Sequence, residues 1–302
     1  MQNAQAGLCC FIEEKGWGMH PVYIGTSGFS YKSWGNTFYP EDVPKYRQLE
    51  FYQTQFPTVE INATFYRLAT LAMTRRWHDV APEGFLYAVK GSRFITHIKR
   101  LIAVKEALDK FFDRIAPLKE KLGPILWQLP PTMKKDCARL EDFLRLLPKT
   151  RRHAVEFRHL SWFEDDEALE ILKKHCAAFV SVSSGKMPVK LAVTADFIYI
   201  RFHGLAGGAA HDYTRAELKP WADHIKAHPD KTVFTYFNND VNVRAPQNAR
   251  ELMSMVGERA FGPFASEMPD LPRKHGRAVK KNKEERTHKL RKKIRKGVLV
   301  SG

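Results

Sequence analysis

Four short stretches of the chain place chemically capable side chains on one face, three of them as pairs two residues apart. They are Glu60 and Asn62, Glu156 and Arg158, Arg201 and His203, and Lys90 two residues after Ala88. Each lies in an apolar run whose polar members alternate with period two, so each pair shares one face of a strand. Two carboxylates beside Arg and Lys suit an anionic ligand gripped by cations, with Glu or His moving protons. Gln128, Arg93, His97, His159, Asn238 and Asn239 stand just at or after the ends of similar runs. Buried charge is costly unless paired or used. A side chain set of this kind therefore implies a shared, sheltered site.

The elements that must position these residues alternate along the chain. Strands are expected at Val22–Thr26, Thr58–Asn62, Phe85–Lys90, Pro124–Leu129, His153–Arg158, Ala178–Ser183, Phe197–His203 and Thr232–Phe237. Helical patterns lie at Pro44–Phe56, Leu71–Val80, Ile102–Leu122, Cys137–Leu147, Asp165–His175, Arg215–Ala227 and Arg244–Val256. The gap Ser184–Asp196 holds Gly185 and Pro188 and predicts a reduced or missing helix between the sixth and seventh strands. Eight strand–helix units predict an α/β TIM-type (β/α)8 barrel, in which the polar faces converge at the carboxyl ends of the strands. No strand is followed by a dinucleotide or phosphate-loop glycine motif, which argues against an open doubly wound sheet. About five of the eight strands deliver a charged or amide group to the same end. A network serving stability alone has no reason to be so one-sided.

The composition bounds the remaining possibilities. The 302 residues carry a net charge of +16. Thirteen Lys/Arg against three Asp/Glu fall from Asp270 onward, so ten of those charges lie in the last 33 residues. The expected organisation is an N-terminal extension over 1–18, a barrel over 19–268 and a basic tail over 269–302, disordered or briefly helical. Such a tail favours phosphate backbones through counterion release, with little choice of sequence and steep salt dependence. The extension has no basic-then-apolar layout and is not read as a secretory signal. It is expected to add nothing to the core. No apolar run is long enough to span a bilayer, so membrane insertion is not expected. Cys9, Cys10, Cys137 and Cys176 form no Cys-x-x-Cys pair and read as free thiols of a cytoplasmic protein.

The ordered motifs carry a resemblance. They begin with Gly25-Thr26-Ser27-Gly28-Phe29-Ser30-Tyr31, Trp34 and Phe38-Tyr39-Pro40, then Glu60-Ile61-Asn62-Ala63-Thr64-Phe65-Tyr66-Arg67. Lys90, Arg93, Thr96-His97, the run Gly123–Pro131 and Glu156-Phe157-Arg158-His159 with Ser161-Trp162 follow. Tyr199–Gly204 and Tyr236-Phe237-Asn238-Asn239 complete the series. In this order they resemble the YecE-like family, domain of unknown function 72. The resemblance implies a TIM-type barrel and supplies no reaction.

The chemistry is then weighed from the residues. The expected catalytic groups are Glu60, Glu156, His97 and His203. The expected substrate-binding groups are Asn62, Lys90, Arg93, Gln128, Arg158, His159, Arg201, Asn238 and Asn239. Lys90, Arg158 and Arg201 form the anion clamp, and Glu60 or Glu156 serves as base. The ligand is an anionic small molecule, phosphate- or nucleotide-containing, or nucleic acid, and a phosphoester hydrolase is one fitting activity. No cofactor is expected. A divalent metal on Glu60, Glu156 and His is the alternative, opposed by three fixed cations. A two-carboxylate glycosidase fits poorly with so many cations. Phe29, Tyr31, Trp34, Tyr66 and Trp162 could stack a base or sugar, or simply cap the barrel core. The non-enzymatic alternative is a nucleic-acid-binding module that uses both tail and mouth.

Overall fold

Hydrophobic strands buried on both faces need a partner on each edge, and here the sheet closes on itself. The structure is a computed structural model that describes residues 20–260. Eight parallel strands pair in chain order and the last returns to the first. They are β1 Val22–Ser27, β2 Thr58–Ile61, β3 Leu86–Lys90, β4 Leu122–Gln128, β5 His153–Glu156, β6 Ala177–Ser184, β7 Phe197–Gly204 and β8 Thr232–Phe237. The helices are α1 Gln48–Gln53, α2 Ala63–Tyr66, α3 Leu71–Val80, α4 Lys105–Ile115, α5 Cys137–Arg145, α6 Glu167–Lys174, α7 Arg215–Lys226 and α8 Arg244–Val256.

The interior is layered. Phe197 and Phe234 pack with Tyr23 in one layer, and Tyr199 and Tyr236 lie in the next, with ring centroids 5.3 Å apart. Ala88, Ala154 and Ala178 stand in the same cluster, where small residues leave room for the tyrosines. The layer above is polar and contains Glu60, Glu156 and Arg201. Small against large is thus what allows a guanidinium to enter the axis.

Two local features hold the mouth in shape. Pairing between β1 and β2 is confined to Thr26–Val59 and Ser27–Glu60. Below that, the Tyr52 hydroxyl bridges the strands, receiving the Thr26 N–H at 2.9 Å and donating to the Thr58 carbonyl at 3.1 Å. Gly204 ends β7 at φ +87°, and a Cβ there would lie 1.7 Å from the Gly208 carbonyl oxygen. Only glycine turns the chain there without displacing that loop.

The departures from the sequence reading sit at element ends. Asn62 has left the extended region (φ −86°, ψ −20°) and leads into α2, a short helix the periodicity does not reveal. The predicted helix Ile102–Leu122 ends as an α-helix at Ile115. Pro117, which has no N–H to donate, continues it as a 3₁₀ turn over Ala116–Lys121. Helix Pro44–Phe56 shortens to α1 behind a 3₁₀ turn at Lys45–Arg47. No helix joins β6 to β7. The Thr194 hydroxyl instead donates to the Ala177 carbonyl and accepts from the Phe179 N–H, both at 2.7 Å, docking the linker on β6.

Cys137 is a free thiol, whereas Cys176 is disulfide-bonded, which corrects the reading of four free thiols. No described helix is long and apolar enough to cross a membrane. The N-terminal extension and the basic tail lie outside the described residues.

Candidate functional site

The polar layer is built around Arg201. Period two on β7 aims Tyr199, Arg201 and His203 at the axis, and Arg201 is only 1% exposed. One terminal nitrogen donates to Glu60 Oε1 at 2.6 Å and the other to Glu156 Oε2 at 2.5 Å. A single guanidinium therefore joins β2, β5 and β7. The remaining carboxylate oxygens are also engaged. Glu60 accepts from the Ser27 hydroxyl and the Tyr199 hydroxyl, each at 2.7 Å. Glu156 Oε1 accepts from Gln128 at 2.9 Å and pairs with Arg158 Nε.

His203 sits above this layer. Its Nε2 lies 2.8 Å from an Arg158 terminal nitrogen, 3.1 Å from Arg201 and 3.3 Å from Glu156 Oε1. Its Nδ1 meets the Asn238 amide at 3.2 Å.

Lys90 stands differently. It ends β3 on the inward face and is 9% exposed. The Thr64 hydroxyl of α2 donates to its carbonyl at 2.7 Å. This places the Phe65 ring under the ammonium, 4.3 Å from ring centroid to Nζ. No carboxylate lies within ion-pair distance of that ammonium among the described residues, because Glu60 and Glu156 are held by Arg201 and Arg158. A cation–π contact is worth only about 0.5–2 kcal/mol, less than the cost of burying an ammonium.

Electrostatics follow from this geometry. Burial acts to raise the pKa of Glu60, but Arg201, Ser27 and Lys90 outweigh it and hold the carboxyl below its usual range. Burial acts the same way on Glu156, where Arg158, Arg201 and His203 carry it well below. Both are carboxylates with every oxygen occupied, so they make poor proton acceptors near neutrality. Burial and the nearby Arg201 push Lys90 down to about 8 against the opposing pull of Glu156 and Glu60. Burial and the Arg201 charge push His203 down to about 4. Burial, then Lys90 and the surrounding arginines, do the same for His97. Both imidazoles are neutral at pH 7.

One carboxyl behaves otherwise. Asp240, three residues past β8, accepts the Trp34 indole N–H, and burial pushes it up to about 6. Sequence reasoning passed over Asp240 because period two stops where β8 ends. The available signal was a carboxyl in the loop after β8. Ser27 and Tyr199 were also left out, although period two places Tyr199 on the face of Arg201.

Glu60, Glu156, Gln128, Arg158, Arg201, His203 and Asn238 thus form one bonded network, with Lys90 beside it. His97 lies edge-on to Phe65, centroids 4.9 Å apart, within electrostatic reach of Lys90. Arg93 is exposed at the rim beyond β3. Asn62 is half-buried, and its Oδ1 has no partner. Two expected ligand-binding side chains are used otherwise. Asn239 turns away, donating to the His211 carbonyl at 2.8 Å and to Asn248 at 2.7 Å, so it fastens α8. His159 caps the 3₁₀ turn Leu160–Phe163, accepting the Ser161 N–H at 3.1 Å. Of the loop aromatics, Trp34 and Trp162 are buried, the Tyr31 hydroxyl is bonded to the Ser27 carbonyl, and Tyr66 is 72% exposed. Among the described residues no group of three or more His, Cys, Asp or Glu is disposed to hold a metal ion.

The family described as "Protein of unknown function DUF72" matches residues 23–274. The chain belongs to this family. It is 26% identical to the UPF0759 protein YunF of Bacillus subtilis (strain 168) over 273 residues, covering 78% of this chain and 94% of that protein. Against the UPF0759 protein YecE of Escherichia coli K12 it is 29% identical over 157 residues, 51% of this chain and 54% of that one. A crystal structure of a DUF72 family protein from Thermotoga maritima superposes with a TM-score of 0.71 at 30% identity, covering 78% of this chain and 99% of that chain. A DUF72 family protein from Enterococcus faecalis, 22% identical, shares the fold with a TM-score of 0.68 over 78% of this chain and 95% of that one. The family thus has the barrel in common and carries no assigned reaction in its name.

Proposed function

We propose that the barrel mouth is an active site for an anionic, phosphate-bearing small molecule or nucleotide, transformed by acid–base chemistry. The observation that carries this reading is the nearly buried Lys90 ammonium with no carboxylate paired to it. Both inward carboxylates are committed to Arg201 and Arg158, so the layer has a cation in excess. A bound anion supplies the missing counter-charge. Arg158 keeps one terminal nitrogen without a bond among the described residues, and Arg93 lies at the rim beyond. Arg201, fully enclosed, is a positioning residue in this reading, as are Glu60 and Glu156. Proton transfer falls to Asp240, which titrates at about 6, with Lys90 itself at about 8.

The test is calorimetric titration of the full chain with inorganic phosphate and with AMP at pH 7 and low salt. Lys90→Met should weaken binding at least about tenfold, roughly 1.4 kcal/mol. Affinity unchanged by Lys90→Met would refute the assignment. If the phosphates bind only in the tail, cutting the chain at Asp270 should abolish binding and leave Lys90→Met without effect. That result would favour the nucleic-acid module.

A further inference from the structure

We infer that Lys90 is a covalent nucleophile and that the phosphate-bearing substrate carries an aldehyde or ketone, with which its ε-amine forms a Schiff base. The inference rests on the anion site proposed above and specifies its substrate class.

The geometry is that of an activated amine. Lys90 projects from the carboxyl end of β3, nine-tenths buried, with its nitrogen over the face of Phe65 and no carboxylate to hold its proton. Burial against a phenyl ring disfavours the charged form of a lysine and so favours its free amine. An amine that must be free of its proton to attack carbon gains by both burial and neighbouring cations. Arg201 and Arg158 supply that positive surrounding, and the unperturbed ammonium value near 10.4 falls to about 8. Edge-on to the same Phe65 ring stands His97, neutral, with Nδ1 2.8 Å from the Thr96 hydroxyl. Its other nitrogen has no bond among the described residues and can carry a proton to or from the reacting oxygen.

The step balances without an oxidant or reductant. The ammonium first gives up one proton. The neutral amine adds to the carbonyl carbon, and the nitrogen transfers a second proton to the former carbonyl oxygen. That oxygen takes up the proton released at the start and departs as water. The product is a protonated imine, one proton on nitrogen, with the same single positive charge as the starting ammonium. The phosphate therefore keeps its cationic neighbour throughout. The imine in turn withdraws electrons from the adjacent carbon and makes its proton or carbon–carbon bond labile.

The test uses the full chain with glycolaldehyde phosphate at pH 8 and sodium borohydride, whose hydride reduces the imine carbon to a stable secondary amine. Peptide mass mapping then locates the adduct. Label should accumulate on Lys90 at least tenfold over any other lysine, fall in the presence of inorganic phosphate, and be far weaker with unphosphorylated glycolaldehyde. Lys90→Arg, which keeps the charge but has no nucleophilic amine, should lose this adduct. Label spread over surface lysines with Lys90 unmodified would overturn the inference. If phosphate still binds in that case, the anion site stands and only the covalent role fails. If phosphate does not bind, the proposed function itself fails.

Discussion

Replacing Arg201 with methionine should lower the stability of the barrel by about 3–5 kcal/mol, the cost of removing one partner from a buried ion network. Glu60 and Glu156 are both 0% exposed, and Arg201 is the cation they share. Methionine fills much of the volume but leaves two carboxylates near each other in a water-poor layer. The sign of the pH dependence also inverts. In the native chain both carboxyls are depressed, so their contribution is complete above the ordinary carboxylate value and is lost as pH falls through the folded values. In Arg201→Met, Glu60 loses its ion-pair partner and should be raised while Glu156 keeps Arg158, so the variant should recover part of its deficit as the pH is lowered from 7 to 5. Urea unfolding at several pH values measures this, with an unchanged m-value marking a true stability change. A loss under about 1 kcal/mol, below the range for a broken buried pair, would mean that the network is not what closes the mouth.

Stability should also fall steeply once the pH drops below about 6.5, the ordinary histidine value. His153 and His203 are both pushed down to about 4, in each case chiefly by burial. His153 accepts the Trp127 indole N–H on Nδ1 at 3.2 Å, and its Nε2 donates to the Pro148 carbonyl at 3.1 Å, so the folded barrel fixes the neutral ring. The unfolded chain takes up these protons at a higher pH than the folded chain does. Stability from the two rings is therefore complete above about 6.5 and is lost as pH falls toward the folded value near 4, at up to about 1.4 kcal/mol per pH unit for each. Asp240, raised to about 6, opposes this trend with a smaller span. The sum should be several kcal/mol between pH 7.5 and 5. His153→Gln should flatten the slope by close to one proton. Equal urea midpoints at the two pH values would show that these rings are not held neutral.

These groups also show where sequence legibility begins and ends. Glu60, Lys90, Glu156 and Arg201 could be placed because they lie within strands, where period two fixes the face and barrel closure fixes the meeting point. Beyond a strand's last residue that rule lapses. Asn238 and Asn239 are adjacent, yet one meets His203 and the other fastens α8, a division made by loop contacts far apart in sequence. Asp240 was invisible for the same reason, since burial raises its pKa and its hydrogen-bond partner, Trp34, lies 206 residues earlier. The anion clamp was read from charge type alone. The structure differs in how the cations are spent, for Arg201 is consumed by two carboxylates while Lys90 is left with none. Only pairing distances reveal that difference. The short helix α2, which sets Phe65 beneath Lys90, is too brief to leave a periodic signature.

The most direct test of the central claim is a crystal structure of the full chain soaked with tungstate, an anomalously scattering phosphate mimic. The anion should occupy the mouth with oxygens about 3 Å from Lys90 Nζ and from the unpaired Arg158 nitrogen, leaving the Arg201 bridge to Glu60 and Glu156 intact. Tungstate bound elsewhere on the chain with the mouth empty, or an anion reached by Arg201 after the bridge has opened, would contradict the account.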